Sequence, residues 1–164
     1  MSVSSDFKDL LSVFNAYHVR YLVVGGYAVV YYSEPRYTKD LDIWVSTDKD
    51  NAAAVFRALA AFGAPLAGLT EDDFAQEGYF YQMGVPPVRI DILMFVQGLT
   101  FEEAWRRHVE TQFDGVPAKL ISREDLITIK QAAGRPQDLI DVTNLSQSTQ
   151  IHRGPRRPRR PTTR

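Results

Sequence analysis

The chain contains no cysteine. That absence removes disulfide cross-links, thiolate metal sites and cysteine nucleophiles together, so any bound metal must be held by oxygen or imidazole. Histidine is scarce as well: His18, His108 and His152 lie far apart, without the ligand spacing of a zinc site. No window approaches the roughly eighteen uninterrupted apolar residues of a membrane-spanning helix. The opening MSVSSDFKDL lacks the basic-then-apolar pattern of a secretory signal. The expectation is a cytoplasmic protein with no membrane partner. Net charge is nearly absent too, at −1, but its distribution is uneven. The stretch "IHRGPRRPRRPTTR" holds six arginines and no acid; without them 13 Lys+Arg face 20 Asp+Glu, a net charge of −7 for residues 1–150. Pro155, Pro158 and Pro161 exclude a regular helix there. Residues 151–164 are therefore expected to form a disordered Arg/Pro-rich tail, either a chain end without a role or an arm that neutralises nucleic-acid phosphates.

What is present suffices for one core. With 164 residues, 45% of them hydrophobic and 12% aromatic, residues 1–150 are expected to make a single domain. "SSDFKDLLSVFNAYHV" spaces Phe7, Leu10, Leu11 and Phe14 at helical intervals. "RYLVV" reads as a short buried strand, and "YAVVYYS" as about two helical turns after the glycines Gly25 and Gly26. "KDLDIWV" is a second strand, and residues 48–62 are an alanine-rich helix with an acidic start and a glycine stop. "GYFYQMG" and "PPVRIDILMFV" predict an antiparallel pair of strands. "TFEEAWRRHVE" predicts a helix, and Asp114-Gly115 a small hairpin. Ser122 and Asp125 predict a capping box opening "REDLITIKQAA", after which Gly134 closes one helix and Pro136 opens the next. The order predicts an α+β (mixed α/β) fold, a small mixed sheet packed by helices.

Two aspartates, Asp40 and Asp42, sit one residue apart inside an apolar run, the first of them fourteen residues after Gly26. In a strand both side chains point to the same face, about 6 to 7 Å apart, while Leu41, Ile43 and Val45 face the core. Asp-x-Asp alone is common at solvated strand ends. The third member, Asp91, stands in the apolar strand "VRIDILMFV", where aspartate is disfavoured. Three carboxylates on one face repel one another unless a cation neutralises them, and Mg²⁺ is commonly held by a few carboxylates plus substrate phosphates. Gly25-Gly26 reads either as a tight turn without a ligand or as a strand-Gly-Gly-helix turn whose open backbone N–H groups at a helix start favour phosphate. The glycines are neither a dinucleotide fingerprint, which needs a third glycine, nor a Walker loop. Trp44, Tyr27, Tyr31 and Tyr32 read as core aromatics, and Phe101 with Trp105 as a helix-packing pair.

The strand, Gly25-Gly26, the short helix, Asp40-Leu-Asp42-Ile and the later Asp91 are together similar to the DNA polymerase beta-like nucleotidyltransferase superfamily. More narrowly, "GGYAVVYYSEPRYTKDLDI" resembles the AbiEii-type and related minimal nucleotidyltransferases. "LISREDLITIKQAAGRPQDLIDVTNL" resembles their C-terminal motif through Lys130, Arg135, Asp138 and Asp141. The resemblance implies a nucleotidyltransferase fold with C-terminal helices. It implies transfer of a nucleoside monophosphate from an NTP to an acceptor hydroxyl on RNA, protein or a small molecule, with a toxin–antitoxin or phage-defence system as one setting. The alternative is a catalytically inactive binding or antitoxin module of the same fold with a protein partner. It further implies two Mg²⁺ ions, with Mn²⁺ as a substitute, at Asp40, Asp42 and Asp91, the last also helping to deprotonate the acceptor. Gly25, Gly26, Arg36, Thr38, Lys39 and Lys130 would bind the nucleotide. For Lys130 the residues themselves allow either a phosphate contact or a solvated helix lysine, and Asp138 and Asp141 either cap the helix or pair with Arg135. Two departures stand out: Gly-Gly where many members carry Gly-Ser, and Gln137 where a basic residue often stands.

Overall fold

The computed structural model describes residues 3–33, 38, 40–85 and 88–151. Arg36, Lys39, Pro86, Pro87 and all but the first residue of the basic tail lie outside the described residues.

Helix α1 (Ser5–Ala16) starts where the Ser4 side chain accepts the Phe7 N–H at 3.3 Å, and it buries Phe7, Leu10, Leu11 and Phe14. Strand β1 (Tyr21–Val24) is buried at every position, as a strand covered on both faces must be. It passes without a loop into α2 (Gly25–Tyr32), whose first residue, Gly25, turns the chain at a positive φ of 67°. Strand β2 (Asp40–Val45) follows. Helix α3 (Lys49–Phe62) is capped by the Asp48 carboxylate, which accepts the Asn51 N–H at 2.9 Å, and stopped by left-handed Gly63.

A short 3₁₀ turn (Glu71–Ala75), for which the sequence carries no periodic signal, places Phe74 in the core and leads into the β3 (Phe80–Met83) and β4 (Arg89–Leu93) hairpin. Strand β4 ends at Leu93, earlier than its apolar run extends, and Phe95 beyond it is exposed. Helix α4 (Phe101–Arg106) is likewise shorter than predicted. Trp105 stacks on His108 just past its end, and Val109 starts β5 (Val109–Phe113) opposite Leu120 of β6 (Val116–Leu120). Asp114 and Gly115 close that hairpin with positive φ of 49° and 82°, the conformation of a tight hairpin turn.

Helix α5 (Arg123–Ala133) uses only half of the expected capping box. The Ser122 hydroxyl accepts the Asp125 N–H at 3.2 Å, but the Asp125 carboxylate is held by Arg107 through Nε and Nη2 at 3.0 and 2.9 Å. Helix α6 (Pro136–Ile151) begins at its proline.

The sheet has six strands in the order β3-β4-β2-β1-β6-β5, mixed in direction: β2/β4 and β1/β6 are parallel, the other pairs antiparallel. Leu41, Ile43, Ile90 and Ile92 turn into the core, so the intervening aspartates face the other side. Tyr27 and Trp44 are core residues as predicted, Phe101 stacks on Trp105, and Tyr31 is exposed instead. Helix α2 lies against β1, β2, α5 and α6, which sets its first turn beside the aspartate face. No helix among the described residues is long and apolar enough to cross a membrane.

Candidate active site

The registers of β1, β2 and β4 build the site. Asp42 lies opposite Val24 on β1 and opposite Asp91 on β4, while Asp40 lies opposite Arg89. Parallel pairing of β2 with β4 thus brings together carboxylates about fifty residues apart in the chain. Asp42 and Asp91 share a hydrogen bond, and the Asp42 carboxyl is pushed up to about 7. Burial is the first cause; the Asp91 charge, the hydrogen bond with Asp91 and the Asp40 charge follow, and Lys130 opposes them. On its outer side Asp91 Oδ1 accepts the Gln82 amide N–H from β3 at 2.8 Å. The Asp40 carboxylate does not join this pair directly. Its Oδ2 lies 3.1 Å from Arg89 Nη2, which also reaches Asp91 Oδ2 at 3.7 Å. Among the described residues no three His, Asp or Glu side chains form a ready metal cage. The oxygen donors that could hold a cation are the Asp42–Asp91 pair, with Asp40 beside it.

Gly25 explains how Asp42 is accommodated. Its φ is +67°, and a Cβ at this position would stand 2.8 Å from Asp42 Cγ and 2.9 Å from Asp42 Cβ, with Oδ2 closer still. A side chain there would displace the carboxylate. The residue before α2, Val24, makes no side-chain cap hydrogen bond to the helix start.

A cavity of about 210 Å³ opens from Gly25 and Asp42 across Leu93 and Gln97 to Lys130 and Arg135. It therefore joins the N-terminal block to the C-terminal one. Lys130 is neither a solvated lysine nor a free one. Its side chain is 9% exposed, and its ammonium lies 3.2 Å from Asp138 Oδ1 and 3.0 Å from Asp141 Oδ2. Asp138 in turn accepts from Arg135 Nε at 2.7 Å and from the Arg135 backbone N–H at 3.2 Å. Thr38 is half-buried and does not line this cavity. Sequence reasoning passed over Arg89 and Gln82. Arg89 stands two residues before Asp91, so strand periodicity alone puts it on the same face; Gln82 is recognisable only once β3 is paired with β4.

The model of a family described as "Nucleotidyl transferase of unknown function (DUF2204)" matches residues 3–154. Among solved structures, the lincosamide antibiotic adenylyltransferase LnuA with lincomycin bound is similar over 90% of this chain and 98% of that one, with a TM-score of 0.53 and 16% identity. An antigenic nucleotidyltransferase-like protein from Paracoccidioides brasiliensis aligns over 92% of this chain and 79% of that one, with a TM-score of 0.49 and 17% identity. At such identity the likeness to the adenylyltransferase bears on the fold alone, and there it agrees with the mixed sheet and helices described above. No curated protein matches the chain.

Proposed function

This chain belongs to the nucleotidyl transferase family whose model spans it, and from that premise we propose that it moves a nucleoside monophosphate from an NTP to an acceptor hydroxyl at Asp42, Asp91 and the start of α2. The observation that carries the reading is the pairing of Asp42 with Asp91 on adjacent parallel strands, against a glycine that leaves no room for a side chain.

The donor set fits Mg²⁺, which is usually bound through one or two carboxylates together with substrate phosphates, and Mn²⁺ has the same preference for oxygen. Asp42 and Asp91 would hold it, with Asp40 available as a further ligand for a second ion. A divalent ion bound there supplies charge neutralisation for the triphosphate and for the leaving pyrophosphate. The backbone N–H groups of the first turn of α2 receive phosphate oxygens, as an uncapped helix start does. Asp91 takes the proton of the acceptor hydroxyl. The acceptor oxygen then forms its bond to the α-phosphorus in line with the breaking bond to pyrophosphate. Lys130 acts on the phosphates through its field from the cavity wall, its ammonium held in place by Asp138 and Asp141. Arg36, Thr38 and Lys39, on the approach to β2, are further phosphate contacts in this reading.

The narrower AbiEii-type assignment rests on the run from Gly25 to Ile43 and on Lys130, Arg135, Asp138 and Asp141. With it come the toxin–antitoxin or phage-defence setting, a partner protein of that setting, and an acceptor that is RNA, protein or a small molecule. The test is transfer of label from each α-phosphate-labelled NTP, with Mg²⁺ present, to RNA, protein and small hydroxyl acceptors. The native chain is expected to transfer label, and Asp42→Ala and Asp91→Ala to lose at least about a hundredfold of the rate, the order seen when a charge-stabilising group is removed. Absence of both label transfer and pyrophosphate release with the native chain would refute the reading.

A further inference from the structure

We propose that Arg89 is the built-in counter-cation of this carboxylate face, holding Asp40 and Asp91 until a divalent ion displaces it, and so sets the affinity of the site for metal. The inference rests on the metal reading above.

Register places Arg89 opposite Asp40 and Asp91 opposite Asp42, so among the described strand residues one arginine and three aspartates share one patch of one sheet face. Arg89 Nη2 serves both Asp40, at 3.1 Å, and Asp91, at 3.7 Å, while its Nε is buried without a hydrogen-bond partner among the described residues. This is unlike the arginine that fixes helix α5. Arg107 grips one carboxylate, Asp125, with Nε and Nη2 together, in the two-pronged geometry of a structural pair. Arg89 instead bridges two carboxylates through a single nitrogen. It neutralises them without locking either, and leaves Asp40 30% exposed and Asp91 13% exposed.

An arginine cannot be discharged at working pH, so its charge stays beside any ion that enters. Metal binding must then break the two Arg89 contacts and accept a neighbouring positive charge. Both effects lower affinity, and both disappear when the guanidinium is replaced by a neutral group. A merely structural Arg89 would give the opposite result, because its loss would loosen the carboxylates and weaken binding.

The test is Mn²⁺ binding without nucleotide, followed by the paramagnetic resonance of free hydrated Mn²⁺ at fixed ionic strength, on the full chain and on Arg89→Gln and Arg89→Lys. Arg89→Gln is expected to bind Mn²⁺ about tenfold more tightly, equivalent to about 1.4 kcal/mol, and Arg89→Lys, which keeps the charge, to stay within about threefold of native. Thermal unfolding monitors the fold, and where Arg89→Gln loses it, Arg89→Met, which keeps the aliphatic stem, carries the same expectation. Equal or weaker binding in a folded neutral variant overturns the inference while leaving the metal reading intact. No binding in either the native chain or the neutral variant overturns both.

Discussion

At Gly25 one methyl group decides whether Asp42 can hold its place, because an added Cβ would overlap the carboxylate and the backbone already sits at a positive φ. Gly63, also at positive φ, faces open space. The two therefore separate backbone strain from collision. Gly63→Ala is expected to cost about 1 kcal/mol from the left-handed backbone alone. Gly25→Ala should cost more, about 3 kcal/mol, the upper end for a strained site, and should weaken Mn²⁺ binding where Gly63→Ala does not. Urea unfolding midpoints and Mn²⁺ titrations check both; equal costs would mean that Asp42 can swing aside freely. At this scale the sequence spoke clearly for the aspartates and poorly for their neighbours. Alternation put Asp40 and Asp42 on one face, but a Gly-Gly pair reads as an ordinary turn until the chain is seen crossing over a carboxylate.

Between elements, Lys130 on α5 joins Asp138 and Asp141 on α6, with Arg135 completing the group at the junction. Replacing Lys130 by Met leaves two buried carboxylates without their ammonium, and is expected to cost about 3–5 kcal/mol, as breaking a buried ion pair does. Burial pulls the Asp138 carboxyl up, but hydrogen bonds from Arg135 and Lys130 and their charges outweigh it, so its net shift is downward. A carboxyl held below its unfolded value near about 4 stabilises the fold above that value and loses its contribution as pH falls through the folded value. Unfolding midpoints measured from pH 7 towards pH 3 should therefore fall more steeply for the native chain than for Asp138→Asn, which is less stable at neutral pH. A parallel pair of acid limbs would contradict this. The two helices were legible from their glycine stop and proline start. Their ionic junction was only half legible, since nothing in a helical repeat says whether a lysine points outward or into a pair of aspartates eight and eleven positions on. Helix α4 was overextended because Val109 pairs with Leu120 across the Asp114-Gly115 hairpin, a strand contact that helical periodicity cannot register.

For the whole molecule, charge is divided between an acidic body and the six arginines after Ile151. The proposal that this segment, outside the described residues, recruits a nucleic-acid acceptor predicts two separable effects of ending the chain at Ile151. The thermal midpoint should stay within error of the native value. Single-stranded RNA affinity should fall, and its logarithmic salt slope should shrink by up to about 4, at roughly 0.7 for each phosphate that an arginine no longer neutralises. An unchanged slope would dismiss the role. The mixed sheet was foreseeable as a class, because glycine and proline punctuate short strands and capped helices. Its strand order was not, since the crossover that sets β4 beside β2 is decided by packing rather than by any local signal. That crossover also makes the site, so the central claim depends on it. Its most direct test is calorimetric titration of each NTP, with Mg²⁺ present, into the native chain and into Asp42→Ala. Saturable, Mg²⁺-dependent binding that disappears in the variant is expected. Binding of equal strength in both, or none in the native chain, would contradict it.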